Sequence, residues 1–116
     1  MASPRRIEKI QGLLKEEIAK ILDHEIEWPE GTMVTVTRVV LSSDVHYATV
    51  MVSVWGRELE HVMKMLQRTI PSLQRILNRK VRMRPVPKIR FMLDEGEARR
   101  ESIEQSLAEL KRKGEV

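Results

Sequence analysis

Apolar residues at the start of the chain fall at a helical spacing. Ile7, Ile10, Leu14, Ile18 and Ile21 recur at steps of 3, 4, 4 and 3, a stripe that one face of an α-helix would bury. Ser3 and Pro4 precede it as an N-cap and first-turn pair. A serine side chain accepts from a free first-turn amide, and proline has no amide to leave unpaired. The spacing predicts a helix over 5–22 that ends near Asp23 or His24, with Gly12 inside it at a cost of roughly 1 kcal/mol relative to Ala. The segment 27–32, with Pro29 and Gly31, reads as a loop. Beyond it the period changes to two. Met33–Leu41 is dense in β-branched residues, and in Tyr47–Trp55 the residues Ala48, Val50, Val52 and Val54 alternate with Thr49, Met51 and Ser53. Residues 42–46 supply the turn between these two strands.

A second helical stripe follows Gly56: Leu59, Val62, Met63, Leu66, Ile70, Leu73 and Leu77. Pro71 interrupts it. Proline lacks an N–H and disfavours the α region for the residue before it, so two helices meeting at a bend of Thr69, Ile70 and Pro71 are expected. Pro85 and Pro87 bar their own segment from a central strand. Lys88–Leu93 is expected to be a strand with Ile89, Phe91 and Leu93 on one side and Lys88 and Arg90 on the other. Asp94, Glu95 and Gly96 mark its exit. Ala98, Ile103, Leu107 and Leu110 predict a last helix, acidic at its start and basic at its end. The expected order is α-β-β-α-α-β-α, an α+β fold in which helices pack against a three-stranded sheet. With 116 residues and no internal repeat, one domain is expected over 1–116, its core about 5–110 and its tail 111–116.

Composition removes several classes of function. There is no cysteine, so disulfides, thiolate metal sites and a cysteine nucleophile are excluded. No apolar run approaches the ~18 residues of a membrane span, and the opening MASPRRIEKI lacks the apolar region of a secretory signal, so a cytoplasmic location is expected. His24, His46 and His61 fall in different elements, and no HExxH, Walker or dinucleotide fingerprint is present. No enzyme activity, cofactor or metal is expected.

Charge changes the picture most. The net charge is +4, yet residues 61–93 hold nine cations (Lys64, Arg68, Arg75, Arg79, Lys80, Arg82, Arg84, Lys88, Arg90) and no Asp or Glu, which leaves −5 on the rest of the chain. A surface of one sign builds the local potential that an anionic polymer meets. A small RNA-binding domain is the class this pattern points to.

The order of elements looks like a type II KH fold, and the residues resemble the ribosome-binding factor A family. The matching positions begin with Arg6-Ile7, Glu17-Ile18-Ala19, Ile21-Leu22, and Glu25-Ile26 leading to Pro29. They continue with Val34-Thr35-Val36-Thr37, Ser42-x-Asp44, and Ala48-x-Val50-x-Val52-Ser53-Val54. In the last third they are Leu73, Leu77, Arg82-x-Arg84, Pro87, Phe91, Asp94, Ile103 and Leu107-x-x-Leu110. The resemblance implies a KH-like, non-catalytic assembly factor that binds the immature small ribosomal subunit and promotes maturation of its rRNA. It also implies growth in the cold and assembly GTPases of the same pathway as partners. Two positions depart from the family pattern. Thr69, Ile70 and Pro71 stand where the family has a bend of Ala-x-Gly type, and Trp28 stands at the usual Asp before the loop proline.

The candidate RNA-binding residues are Arg68, Ser72, Arg75, Arg79, Lys80, Arg82, Arg84, Lys88 and Arg90. Lysine and arginine recognise phosphates, which supply affinity and position without reading sequence. Arg82 and Arg84 would share a face of an extended segment, with Lys88 and Arg90 continuing a similar row. A helix starting at Pro71 would present free amides from Ser72 onward to one phosphate. Four aromatics, Trp28, Tyr47, Trp55 and Phe91, offer no evident stacking platform, so recognition of RNA shape and backbone is expected. Trp28 is expected to close over a helix end, with an exposed anchor as the alternative. The competing function is a KH-like interaction module whose basic face meets an acidic protein. The expected state is a monomer without membrane contact.

Overall fold

The computed structural model describes residues 3–96 and contains α1 (Pro4–Glu25), β1 (Met33–Leu41), β2 (Tyr47–Trp55), α2 (Leu59–Lys80) and β3 (Lys88–Leu93). The three strands coincide with those expected from the alternation. Ser3 caps α1 as its position requires: its Oγ accepts from the Arg6 amide at 3.2 Å, and Pro4 takes the first turn. Leu14 and Ile18 are fully buried and Ile21 nearly so. The helix ends where Ile26 turns extended, its amide still donating to the Leu22 carbonyl at 3.0 Å.

The second helical stretch differs from expectation. It forms one helix of 22 residues with Pro71 inside it, rather than two helices meeting at Thr69–Pro71, so the described order is α-β-β-α-β. Pro71 deprives only the Gln67 carbonyl of its helical donor. Both residues lie on the exposed side of the helix, where water can serve that carbonyl. The opposite side, Val62, Leu66, Leu73 and Leu77, is fully buried, and that packing runs past the proline on both sides. Tertiary burial outweighs the local preference. The expected last helix, with Ala98, Ile103, Leu107 and Leu110, lies outside the described residues.

The sheet order is β1-β2-β3, antiparallel between β1 and β2 and parallel between β2 and β3. One face collects Val39, Leu41, Ala48, Val50, Val52, Ile89 and Phe91, and these join the buried residues of α1 and α2 in a single core. Two glutamines tie the helices to the outer edges of the sheet. Gln11 Oε1 accepts from the Leu41 amide at 3.0 Å. Gln74 Oε1 accepts from the Ile89 amide at 3.1 Å, while its Nε2 donates to the Pro87 carbonyl at 2.9 Å. Each outer strand thereby has an amide that would otherwise face away from the sheet satisfied by a helix.

The register slips between Val36 and Arg38, where Thr37 is the extra residue of a β-bulge. Its hydroxyl donates to Asp94 Oδ2 at 2.6 Å and lies 3.2 Å from the Met51 carbonyl, which fastens the bulge to the end of β3. At the hairpin, Val45 has a φ of 62°, a strained value for a β-branched residue. Its side chain is half-buried against the core, and its amide donates to the Ser42 carbonyl at 2.9 Å. Gly56 has a φ of 128°, and a Cβ there would stand 2.9 Å from the Gly31 carbonyl oxygen. Glycine is required where these two loops meet.

Candidate nucleic-acid interface

Burying Leu66, Leu73 and Leu77 forces the residues between them outward. Lys64, Arg68, Arg75 and Arg79 follow one another at steps of 4, 7 and 4 along the exposed side of α2. At 1.5 Å per residue the row is about 22 Å long. Ser72 completes its spacing between Arg68 and Arg75. Ser72, Arg75, Ile76, Asn78 and Arg79 line a groove of about 560 Å³ with Glu25 of α1 on its far side. Lys80 is exposed at the end of the helix. This part of the candidate set is therefore brought together. Lys64 belongs to the same row, and its spacing of four from Arg68 is the signal that would have added it.

Ser72 does not sit at a helix start. It lies inside α2, where its amide belongs to the helical ladder, so the expected cradle of free amides behind Pro71 is absent. Thr69 Oγ1 likewise turns inward and donates to the Met65 carbonyl at 2.9 Å.

Arg82 and Arg84 occupy an irregular segment between α2 and β3. They line a cleft of about 540 Å³ with Arg6 and Ile10 of α1 and with Asp44, Val45 and His46 of the hairpin. Arg84 is engaged within the fold. Its Nη1 donates to the carbonyls of Val81 and Met83, both at 2.8 Å, and its Nη2 to that of Asn78 at 2.9 Å. This guanidinium closes the carbonyl end of α2, where the helix dipole favours a cation. Arg82 remains exposed in the cleft beside Arg6, a neighbour that no sequence spacing could reveal. Lys88 and Arg90 do not continue that segment as a row; they lie on the sheet, on the side away from the helices.

The hairpin wall of the cleft is held by one carboxylate. Asp44 accepts from the Ser42 hydroxyl at 2.6 Å and from the His46 amide at 3.1 Å. The Ser42 hydroxyl first, and then the His46 amide, hold its carboxyl below the ordinary carboxylate value. Trp28 is half-buried against the core, as a residue that closes over a helix end would be. Among the described residues, no group of three or more His, Asp or Glu is placed to hold a metal ion. No described helix is long and apolar enough to cross a membrane.

Comparison with known proteins bears on this arrangement. The sequence profile of the family described as Ribosome-binding factor A matches residues 6–107. The chain belongs to this family. A ribosome-binding factor A from Moorella thermoacetica is 37% identical over 98 residues, covering 81% of this chain and 80% of that protein. One from Prochlorococcus marinus strain MIT 9303 is 31% identical over 120 residues, covering all of this chain and 84% of that protein. Among solved structures, ribosome-binding factor A from Thermus thermophilus superposes with a TM-score of 0.67 at 30% identity, covering 75% of this chain and 93% of that one. A homology model of the T. thermophilus factor, fitted into a cryo-EM map of a 30S–RbfA complex, superposes with a TM-score of 0.62 at 32% identity over 71% of this chain and 88% of that one. The three-stranded mixed sheet under two helices is thus the fold of ribosome-binding factor A. Thr69, Ile70 and Pro71 lie within one unbroken helix of this chain.

Proposed function

We propose that this chain is a non-catalytic assembly factor of the small ribosomal subunit, acting through RNA backbone contacts along α2. The observation that carries the reading is the exposed row of Arg68, Arg75 and Arg79 in a member of this family. A row of cations about 22 Å long suits a run of phosphates, and contacts of this kind position a protein without reading bases. Lys64, Lys80 and Arg82 add to the same potential. Ser72 serves as a neutral donor inside the groove, and Arg84 acts on RNA only indirectly, by holding the end of α2. Family membership favours RNA over an acidic protein as what this row meets. The domain works as a cytoplasmic monomer, on rRNA precursors in the immature subunit, in a pathway shared with assembly GTPases.

Charge reversal tests this at the row itself. Arg75→Glu with Arg79→Glu leaves both side chains exposed and is expected to keep the melting temperature within a few degrees. The double variant should lose co-migration with small-subunit precursors on a low-magnesium sucrose gradient, while the unaltered chain keeps it. Equal co-migration of the two proteins would remove the row from the binding surface. An unaltered chain found only at the top of the gradient would remove the ribosomal reading.

A further inference from the structure

The sheet has a second face, and the register defines what stands on it. Met33 pairs with Trp55, Thr35 with Ser53, Arg38 with Met51 and Met92, Val40 with Thr49 and Arg90, and Tyr47 with Lys88. Paired residues share a face, and these are the ones that alternate with the core residues. Met33 is 64% exposed, Trp55 52%, Met92 52% and Tyr47 43%. With Val40 at 44%, five large apolar side chains therefore stand in water on one surface.

Cations outnumber carboxylates on this face. The three strands contain Arg38, Lys88 and Arg90 and not one Asp or Glu. Asp94, just beyond β3, is held by the Thr37 hydroxyl and forms an ion pair with Arg38 at 3.9 Å, so Lys88 and Arg90 carry the excess positive charge. Arg90 is set in place by two contacts: its guanidinium lies 5.0 Å from the centre of the Tyr47 ring, and its Nε donates to Thr49 Oγ1 at 3.0 Å. A guanidinium plane stacked on a ring offers a flat surface to a base. At the other end of β2, Trp55 stands opposite Met33. Eight residues separate the two aromatics, on the order of 26 Å along a strand.

Aromatic planes at both ends, cations between them and no carboxylate in the strands are the features of a surface for single-stranded nucleic acid. The excess of cations over Asp94 on this face disfavours a second copy of this chain as its occupant. We propose that the open face of the sheet binds single-stranded RNA, with unpaired bases stacking at Tyr47–Arg90 and at Trp55, and phosphates meeting Lys88 and Arg38. This rests on the reading of the chain as an RNA-bound assembly factor, but it uses the side of the sheet opposite α2. It adds unpaired bases to the backbone contacts of the helix.

The test uses the full chain and a fluorescein-labelled octauridine at fixed salt, followed by anisotropy. Tyr47→Thr with Trp55→Thr keeps β-forming residues at exposed strand positions. It should weaken binding about tenfold or more, since each stacked base contributes that order of affinity, with little change in the thermal melt. In a Trp28→Phe background, octauridine should quench the emission of Trp55. Absence of saturable binding by the unaltered chain, equal affinity of the double variant, or a dimer that this variant dissociates would each overturn the proposal. If the threonine variant loses its cooperative melt, Arg38→Gln with Lys88→Gln takes its place under the same criterion. Sedimentation with small-subunit precursors is run alongside. Its failure for the unaltered chain would refute the assembly-factor reading while the octauridine result stood by itself.

Discussion

The two faces of the sheet are made from the same three strands and have opposite characters. On the helix side, Ala48, Val50 and Val52 are fully buried beneath Leu14, Ile18, Leu66, Leu73 and Leu77. On the other side, residues one position along each strand are Thr49, Met51, Arg90 and Met92, with Tyr47 and Trp55 at the ends. Alternation alone would make the second face polar, yet several of its largest residues are apolar or aromatic. Stability is concentrated on one face, which leaves the composition of the other free to serve contact with a partner.

Substitutions on the two faces should therefore separate sharply. Leu73→Ala removes a fully buried side chain from the core and is expected to cost about 2–5 kcal/mol, read as a lower urea midpoint, whereas Met92→Thr on the open face should stay within about 0.5 kcal/mol. A comparable loss from both would mean that the open face carries stability, and the contrast would fail. Thr37→Val tests the join at which the chain leaves β3. It deletes the donor to Asp94 while keeping the shape, and should cost about 1–3 kcal/mol at neutral pH. If stability were unchanged, the bulge would not depend on that bond.

The smallest effect is expected at the hairpin. Asp44 has a lower pKa folded than unfolded, so its contribution is present above the unfolded value and lost as the pH falls through the folded one. Ser42→Ala removes the largest cause of that depression. The Asp44 carboxyl, followed by NMR titration, should then titrate closer to its ordinary value, with little change in stability because the group is exposed to solvent. An unmoved titration would assign the depression to the His46 amide instead.

Much of this architecture was legible because it follows from local periodicity. The steps of three and four from Ile7 to Ile21 placed α1, and the alternation from Ala48 to Val54 placed β2, since a helix and a strand each bury one face at their own period. The bend expected at Pro71 does not divide the helix, for a related reason. A missing N–H is a local property, but whether a helix continues through it depends on burial of Leu66 and Leu73 on either side. The candidate site was legible only as a set of cations. That Arg68, Arg75 and Arg79 form one row follows from helical spacing once the helix is continuous. That Arg84 is engaged with the Asn78, Val81 and Met83 carbonyls does not follow from any spacing.

The order of residues was enough to define the elements, the apolar stripes and a concentration of positive charge between 61 and 93, because each depends on neighbours within one turn or one strand. Packing and register settled which cations remain exposed, that Arg6 lines a cleft with Arg82, and that Tyr47, Trp55, Arg38 and Arg90 share one open face. These relations join residues far apart in the chain, and nothing short of the assembled sheet and its helices brings them together.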